Sequence, residues 1–400
     1  MRPGEPGCRE SPLPPRRAAG PHADVRVDVG PGHGIGVGRA IADPGAPGWQ
    51  DWLLDQWFQS SPSLPCRLLQ PLSWIYGGLW RCRKHACVAP PPLRAPVVVV
   101  GNLVVGGAGK TPTVVALVES LRLAGWTPGV VSRGHGRRVQ PITEVCESSD
   151  PRQVGDEPLL IHRRTRAPCV VGRQRLAAAH ALLSDHPEVD LVVSDDGLQH
   201  LALPRTLEVV VFDERGIGNG LLLPAGPLRE PFTPFCAASR LVLYNAASPS
   251  TPWGGHLAER SLAAQCDAVG AGMTERRELT TFRGRRVLAA AGIAVPERFF
   301  SALEAAGLTI DRLPLPDHHD YCGPLPWPAA TAEVLVTEKD AVKLSGLSLG
   351  PTRVWAVPLD LQLPPTFMQA VLRNLPVRPP PGPQAAPPSL PDPHALEPRP

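Results

Sequence analysis

Residues 106–111, Gly106-Gly107-Ala108-Gly109-Lys110-Thr111, place three glycines, a cation and a hydroxyl in six positions. Glycines let backbone N–H groups close around an oxyanion, Lys110 adds a mobile positive charge, and the Thr111 hydroxyl is of the kind that ligates Mg²⁺. That is the chemistry of a nucleotide-phosphate loop, in a variant form. Val104 stands where such loops usually carry their first glycine, and Gly106-Gly107 thicken the turn instead. The plainer alternative is a glycine-rich turn with a solvated lysine. The second cluster is Asp195-Asp196, at the end of the apolar run Leu191-Val192-Val193-Ser194. Carboxylates delivered by a strand end hold Mg²⁺ directly or through water. If the strand continues, the two side chains point to opposite sides, one to the metal and one to a neighbour or substrate. Otherwise a strand-end Asp caps the next turn.

Three further groups carry titratable or charged side chains. In Val154-Gly155-Asp156-Glu157-Pro158, Asp156 either caps a helix over 158–163 or accepts the proton of a substrate hydroxyl, and spacing does not choose. Arg229-Glu230 lies in a Pro/Gly-rich loop, where a solvated ion pair is the simple reading. Asp317-His318-His319-Asp320-Tyr321 invites a metal site, but adjacent histidines in an extended loop diverge. The nine cysteines form no Cys-x-x-Cys pair, and free thiols are expected.

The elements that must position these groups are those of an α/β chain. Val97–Val100 reads as a buried strand, and Val114, Leu117, Val118 and Leu121 as one face of the helix after the loop, stopped by Gly125. Apolar runs at 129–132, 169–172, 191–194, 207–212 and 241–244, several separated by helical patterns, predict a mostly parallel sheet with helices on both faces. Ligands then gather at the carboxyl ends of its strands. Residues 93–245 form this nucleotide-binding domain, 246–280 a connector without periodicity, and 281–376 a second, smaller α/β domain that includes the closing helix 366–375.

Residues 49–92 read as a membrane-surface helical segment. Five of the nine tryptophans fall here. Leu68, Leu69, Leu72, Ile75, Tyr76, Leu79 and Trp80 recur at helical spacing, interrupted by Pro71, and Arg81, Arg83, Lys84 and His85 follow. An apolar aromatic face ending in positive charge suits a helix lying among lipid headgroups, and residues 49–87 are the expected membrane contact; packing on the following domain is the alternative. The 51 prolines concentrate in residues 1–48 and 377–400, which are expected to be disordered arms. The first arm has no apolar core of a signal peptide. A net charge of +3 gives no case for a nucleic-acid partner, and no stretch is apolar enough to span a bilayer.

Taken together, Val99-Gly101-Asn102 with Gly106–Pro112, Ser132-Arg133-Gly134, Gly155–Pro158, Ser194–Gly197 with Gln199-His200, Pro224-x-Gly226-x-x-Arg229-Glu230, Ala291-Gly292-Ile293 with Pro296 and Phe299-Phe300, Asp317-His318-His319 and Thr337–Asp340 resemble tetraacyldisaccharide 4′-kinases over roughly residues 50–376. The resemblance implies an ATP- and Mg²⁺-dependent kinase that phosphorylates the 4′-hydroxyl of a tetraacyldisaccharide 1-phosphate to lipid IVA. It implies a P-loop NTPase-like fold with two α/β domains, a cleft between them, and peripheral attachment to the cytoplasmic face of the inner membrane. By position it implies that Gly106–Thr111 hold the nucleotide, that Thr111, Asp195 and Asp196 meet the metal, and that Asp156 is the catalytic base supported by His318. Arg229 and Glu230 would line the reaction site. His135 departs from the family's usual Tyr. On the physics, a His318 hydrogen bond would either raise the basicity of Asp156 or hold its orientation. The alternative from another class is a regulatory P-loop NTPase at the membrane surface. Against it, Thr337-Glu338-Lys339-Asp340 has the residue types of a guanine-reading motif but puts its Lys one place late.

Overall fold

Four consecutive valines can all be buried only where a strand is covered on both faces. In the computed structural model, which describes residues 49–88, 90–134, 136–137, 141–231, 239–270 and 273–377, Val97–Val100 take that place. The expected arm 1–48, the tail beyond Val377 and His135 lie outside the described residues.

The chain enters through α1 (Trp49–Trp57) and α2 (Leu64–Ala86), then β1 (Val97–Gly101), α3 (Lys110–Leu123) and β2 (Pro128–Ser132). Next come β3 (Thr143–Glu144), α4 (Pro151–Val154), α5 (Asp156–Thr165), β4 (Cys169–Val171) and α6 (Arg175–Asp185). Strands β5 (Leu191–Asp195), β6 (Leu207–Phe212), β7 (Arg240–Tyr244) and β8 (His256–Leu257) complete an eight-stranded sheet of order β3-β4-β2-β5-β1-β6-β7-β8. Every pairing is parallel except β3 with β4. Because β5 lies between β1 and β2, Val100 pairs with Asp195. The strand that feeds the glycine loop and the strand that carries the acids therefore end side by side. On α3, Val114, Leu117, Val118 and Leu121 are fully buried, as their spacing predicts, and Gly125 turns the chain with φ 90°.

The second lobe is built from β9 (Glu259–Leu262), β10 (Gln265–Ala268), β11 (Arg276–Glu278), β12 (Arg286–Ala291), α7 (Pro296–Ala305), β13 (Thr309–Pro314), β14 (Glu333–Thr337), α8 (Glu338–Leu344), β15 (Arg353–Val357), β16 (Leu359–Gln362) and α9 (Pro365–Asn374). Its six-stranded sheet runs β11-β10-β15-β14-β12-β13, parallel from β15 to β13, while β16 and β9 form a separate antiparallel pair. From Trp49 onward both lobes belong to one compact unit.

Four expectations need correction. The stretch 246–280, read as a connector, holds β8, β9, β10 and β11; β9 and β11 have no buried residue, so their sequence shows no apolar alternation. The closing helix does not join the second lobe's core. Phe367 and Val371, one helical turn apart, are buried with Leu361 of β16 against the core that includes Leu117 and Leu121 of α3. Pro71 does not break α2, which runs 23 residues through it. The lost backbone bond is offset by docking of that helix: Ser73 Oγ donates to the Leu222 carbonyl (2.7 Å), and Tyr76 Oη donates to that of Arg229 (2.6 Å). Nor does α2 have one apolar face. Cys66, Ser73 and Gly77 are buried, whereas Leu64, Leu68, Leu72, Ile75 and Leu79 are 51–73% exposed on another face.

Candidate active site

The loop between β1 and α3 owes its shape to backbone contacts. The Val105 N–H donates to the Pro227 carbonyl (2.9 Å), the Arg229 N–H donates to Leu103 (2.8 Å), and Val104 is buried in a bridge to Leu228. A β-branched residue suits that extended position, which explains Val104 in place of glycine. The left-handed turns fall later, at Gly106 (φ 95°) and Gly109 (φ 77°). At Gly109 a Cβ would stand 1.8 Å from Asn245 Nδ2, so no side chain fits. Asn102 Nδ2 donates to the Gly106 carbonyl (3.0 Å), and its Oδ1 accepts from Lys110 Nζ (3.3 Å). Lys110 and Thr111 open α3, whose N-terminal N–H groups and dipole favour an anion.

Strand β5 ends at Asp195, and Asp196 turns away in the left-handed region at φ 48°. The two carboxylates thus diverge through a turn and not through strand alternation. Asp195 is buried; its Oδ2 accepts from Ser132 Oγ (3.1 Å), while its Oδ1 has no partner among the described residues. Burial first, then the charges of Glu157 and Asp196, push its carboxyl up to about 7. Asp196 is held below the usual carboxylate range: burial opposes this, but Lys110 at 3.7 Å, Arg229 at 3.5 Å and Arg175 outweigh it. An all-oxygen set of Thr111, Asp195 and Asp196 with one buried, unpartnered carboxylate oxygen fits a hard divalent cation.

Asp156 is the first residue of α5, not the cap before it; Gly155 holds that place with φ 96°. Its Oδ1 accepts from the Glu157 N–H (3.0 Å), and its Oδ2 accepts from His318 Nδ1 (3.0 Å), which reaches over from the second lobe. Lys343 lies 3.8 Å away, and Lys339 bonds Glu157 (3.3 Å) and His318 Nε2 (3.1 Å). Burial works to raise the Asp156 pKa, yet the His318 bond and both lysines bring it down to about 2. His318 therefore holds the carboxylate in place and does not raise its basicity. The ring itself titrates above its ordinary value, led by the bond to Asp156, against burial and the Lys339 charge.

Not every expected residue joins this cluster. Arg229 does, through Asp196. Glu230 is buried elsewhere: burial raises its pKa, and its charged neighbours are Arg240, Glu208, Arg205 and Lys84. His319 packs edge-on against Tyr321, 4.6 Å between centroids, so the two histidines do diverge. Asp340 of the motif at 337–340 is buried, accepting from Thr337 Oγ1 (2.7 Å) and the Gly292 N–H (2.9 Å), which makes it a lobe-internal support and not a base reader. Residues not expected from the sequence are Asn102, Ser132 and Lys343. The first two stand in quoted motifs without a role; Lys343 lies one helical turn after Lys339, a spacing that marks one face of α8. A cleft of roughly 1470 Å³ opens beside Asp156 and His318, flanked by Arg163, Glu338 and Lys343.

The comparisons agree with one another. The family described as tetraacyldisaccharide-1-P 4′-kinase matches residues 66–376. A tetraacyldisaccharide 4′-kinase of Methylibium petroleiphilum is 51% identical over 332 residues, covering 80% of this chain and 92% of that protein. The one of Leptothrix cholodnii is 50% identical over 343 residues, covering 83% and 95%. In fold, the chain resembles the crystal structure of LpxK from Aquifex aeolicus in complex with ATP, with a TM-score of 0.64 at 23% identity, covering 78% of this chain and all of that one. With a match across residues 66–376 and about half of the aligned residues identical to named relatives, the chain belongs to the tetraacyldisaccharide-1-phosphate 4′-kinase family.

Proposed function

We propose that this protein transfers the γ-phosphoryl group of ATP to the 4′-hydroxyl of a tetraacyldisaccharide 1-phosphate, giving lipid IVA. The observation that carries the reading is that the glycine loop and the strand-end acids end side by side, with Lys110 3.7 Å from Asp196, while Glu157 acts on Asp195 and its neighbour Asp156 is held ionised by His318 of the other lobe. The relatives' shared name supports the substrate.

Glycines 106, 107 and 109 with Ala108 cradle the nucleotide phosphates, and Lys110 offsets their charge. Thr111, Asp195 and Asp196 would hold Mg²⁺, which when bound supplies positive charge at the phosphates. The acceptor oxygen attacks the γ-phosphorus as the bond to ADP breaks, and the hydroxyl proton passes to Asp156. A carboxylate titrating near 2 is a weak base. That suffices in a loose transition state, where positioning and charge neutralisation do most of the work. His318 and Lys343 keep Asp156 aimed, and Arg229 steadies Asp196. The cleft beside Asp156 suits the disaccharide.

A four-chain lipid stays in its bilayer, so the enzyme must come to it. No helix of the described residues is long and apolar enough to cross a membrane. The exposed leucines of α2, with Trp74 and the basic end of the helix, fit attachment to the surface, on the cytoplasmic face of the inner membrane where ATP is at hand. The test is phosphorylation of the lipid disaccharide in mixed micelles with Mg-ATP. Lys110→Ala and Asp156→Ala should each lower kcat by about 10²- to 10⁴-fold. Wild-type protein that leaves the lipid unphosphorylated would end this reading.

A further inference from the structure

Beyond the residues assigned so far, a buried carboxylate joins the phosphate loop to the second lobe. Asp213 directly follows β6 and is fully buried. Arg215, two residues on, wraps back to it: its backbone N–H donates to Oδ1 (3.0 Å), its Nε to Oδ2 (3.0 Å), and its Nη2 to Oδ2 (2.7 Å). The same Nη2 donates to the Gly107 carbonyl of the phosphate loop (2.8 Å). From the second lobe, Arg298 in the first turn of α7 donates to Asp213 Oδ2 (3.0 Å) and pairs with Glu214 (2.5 Å). Ala294, just before α7, lies 3.4 Å from where a Cβ on Gly107 would stand. The Arg215 guanidinium also covers Phe58, 4.6 Å from the ring centroid, beside the end of α1.

A carboxylate taken out of water costs several kcal/mol unless its charge is met. Here two guanidinium groups meet it, one bonded to the phosphate loop and one carried by the second lobe. Removing Arg298 leaves Arg215 the only cation hydrogen-bonded to Asp213 among the described residues, and the pull on Arg215 then competes with its bond to Gly107.

We propose that Asp213 is a positioning residue for phosphoryl transfer, sharing itself between Arg215 and Arg298 so that docking of the second lobe sets the shape of the phosphate loop, and nucleotide binding in turn favours lobe closure. The inference rests on the kinase reading for its meaning, but its central readout is nucleotide affinity, which does not depend on the lipid. Coupling between sites is reciprocal and typically 5- to 150-fold.

The experiment uses the full chain with Arg298→Met, Arg298→Lys, Arg215→Met and the Arg215→Met/Arg298→Met pair. Mg-ATP affinity is measured by calorimetry, and KM for ATP and kcat on lipid micelles alongside. Arg298→Met, although the hydrogen bonds of Arg298 among the described residues go to Asp213 and Glu214 and not to the loop, should weaken Mg-ATP binding and raise KM for ATP by about 10-fold. Arg298→Lys should recover part of this. The double variant should lose less than the product of the two single losses, because both act through one carboxylate. Arg298→Met with a lowered melting temperature but unchanged ATP affinity and KM would overturn the proposal and leave a purely structural ion pair. Multiplicative losses in the double variant would overturn it too. If wild-type protein binds Mg-ATP with these couplings yet phosphorylates no lipid, the kinase reading falls and the coupling stands.

Discussion

At the scale of single residues, environment assigns the two kinds of carboxylate their work. Asp156 and Asp195 are both buried, but Asp156 faces His318, Lys339 and Lys343, whereas Asp195 faces Glu157 and Asp196. One carboxyl is held near 2 and stays ionised at any working pH; the other is pushed up to about 7. The sign of the second shift gives a prediction. An Asp raised above its unfolded value of about 4 makes the native state bind more protons than the unfolded one, so metal-free stability falls as pH rises. The window runs from about 4 to the Asp195 pKa of about 7. Mg²⁺ held by Asp195 as proposed would expel that proton, so its affinity should rise with pH over the same window. Asp195→Asn should flatten the decline. Melting curves of metal-free protein between pH 5 and 8 check this, and equal slopes for wild type and variant would contradict the buried, unmatched charge.

At the scale of elements, α2 divides its residues between a packed face and an open one. Its small and polar positions Ser73 and Gly77 meet the larger lobe at Leu222 and Ala225, while buried Cys66 packs toward α1, its Sγ 3.7 Å from the Gln56 carbonyl. Leu64, Leu68, Leu72, Ile75 and Leu79 are left to the outside. Stability should therefore be insensitive to that outer face, while the proposed membrane attachment should depend on it. Leu68→Ser/Leu72→Ser/Ile75→Ser should keep the melting temperature and reduce co-sedimentation with anionic lipid vesicles by about 10-fold or more, since each buried apolar side chain contributes roughly 1.5–3 kcal/mol. Unchanged sedimentation would refute the surface role of the helix.

At the scale of the whole molecule, the lobes meet through charge. His318 reaches Asp156 (3.0 Å), Arg164 of α5 pairs with Glu338 of α8 (2.7 Å) and with Asp360 (2.9 Å), and Arg163 Nη1 donates to Ser345 Oγ (3.1 Å). Asp156 and His318 come from different lobes, so in the proposed mechanism the aim of the base depends on how the lobes dock. The raised His318 pKa carries its own sign. A histidine raised in the native state contributes stability that is complete below its unfolded value of about 6.5 and is lost as pH rises through the native value. Denaturant melts from pH 6 to 9 should show this loss for wild type and not for His318→Ala. If both decline alike, the ring is not charged by its contact with Asp156.

Much of this architecture is legible in the amino-acid sequence because its signals are local. The β-branched runs, the glycines before Lys110 and the spacing on α3 set strands, loop and helix over a few residues each, where sterics and burial periodicity dominate. The short strands β9 and β11 were not legible, because strands with no buried residue leave no apolar alternation. Nor was the return of α9 to the first lobe, since an apolar face does not name its partner. Which chemistry the titratable residues can do was set by their types alone. That Asp195 lies beside the loop, that Glu230 turns away, that His318 lowers the pKa of Asp156 and that two arginines share Asp213 were decided only in three dimensions. Those facts depend on strand order and on charges brought together from positions far apart in the chain.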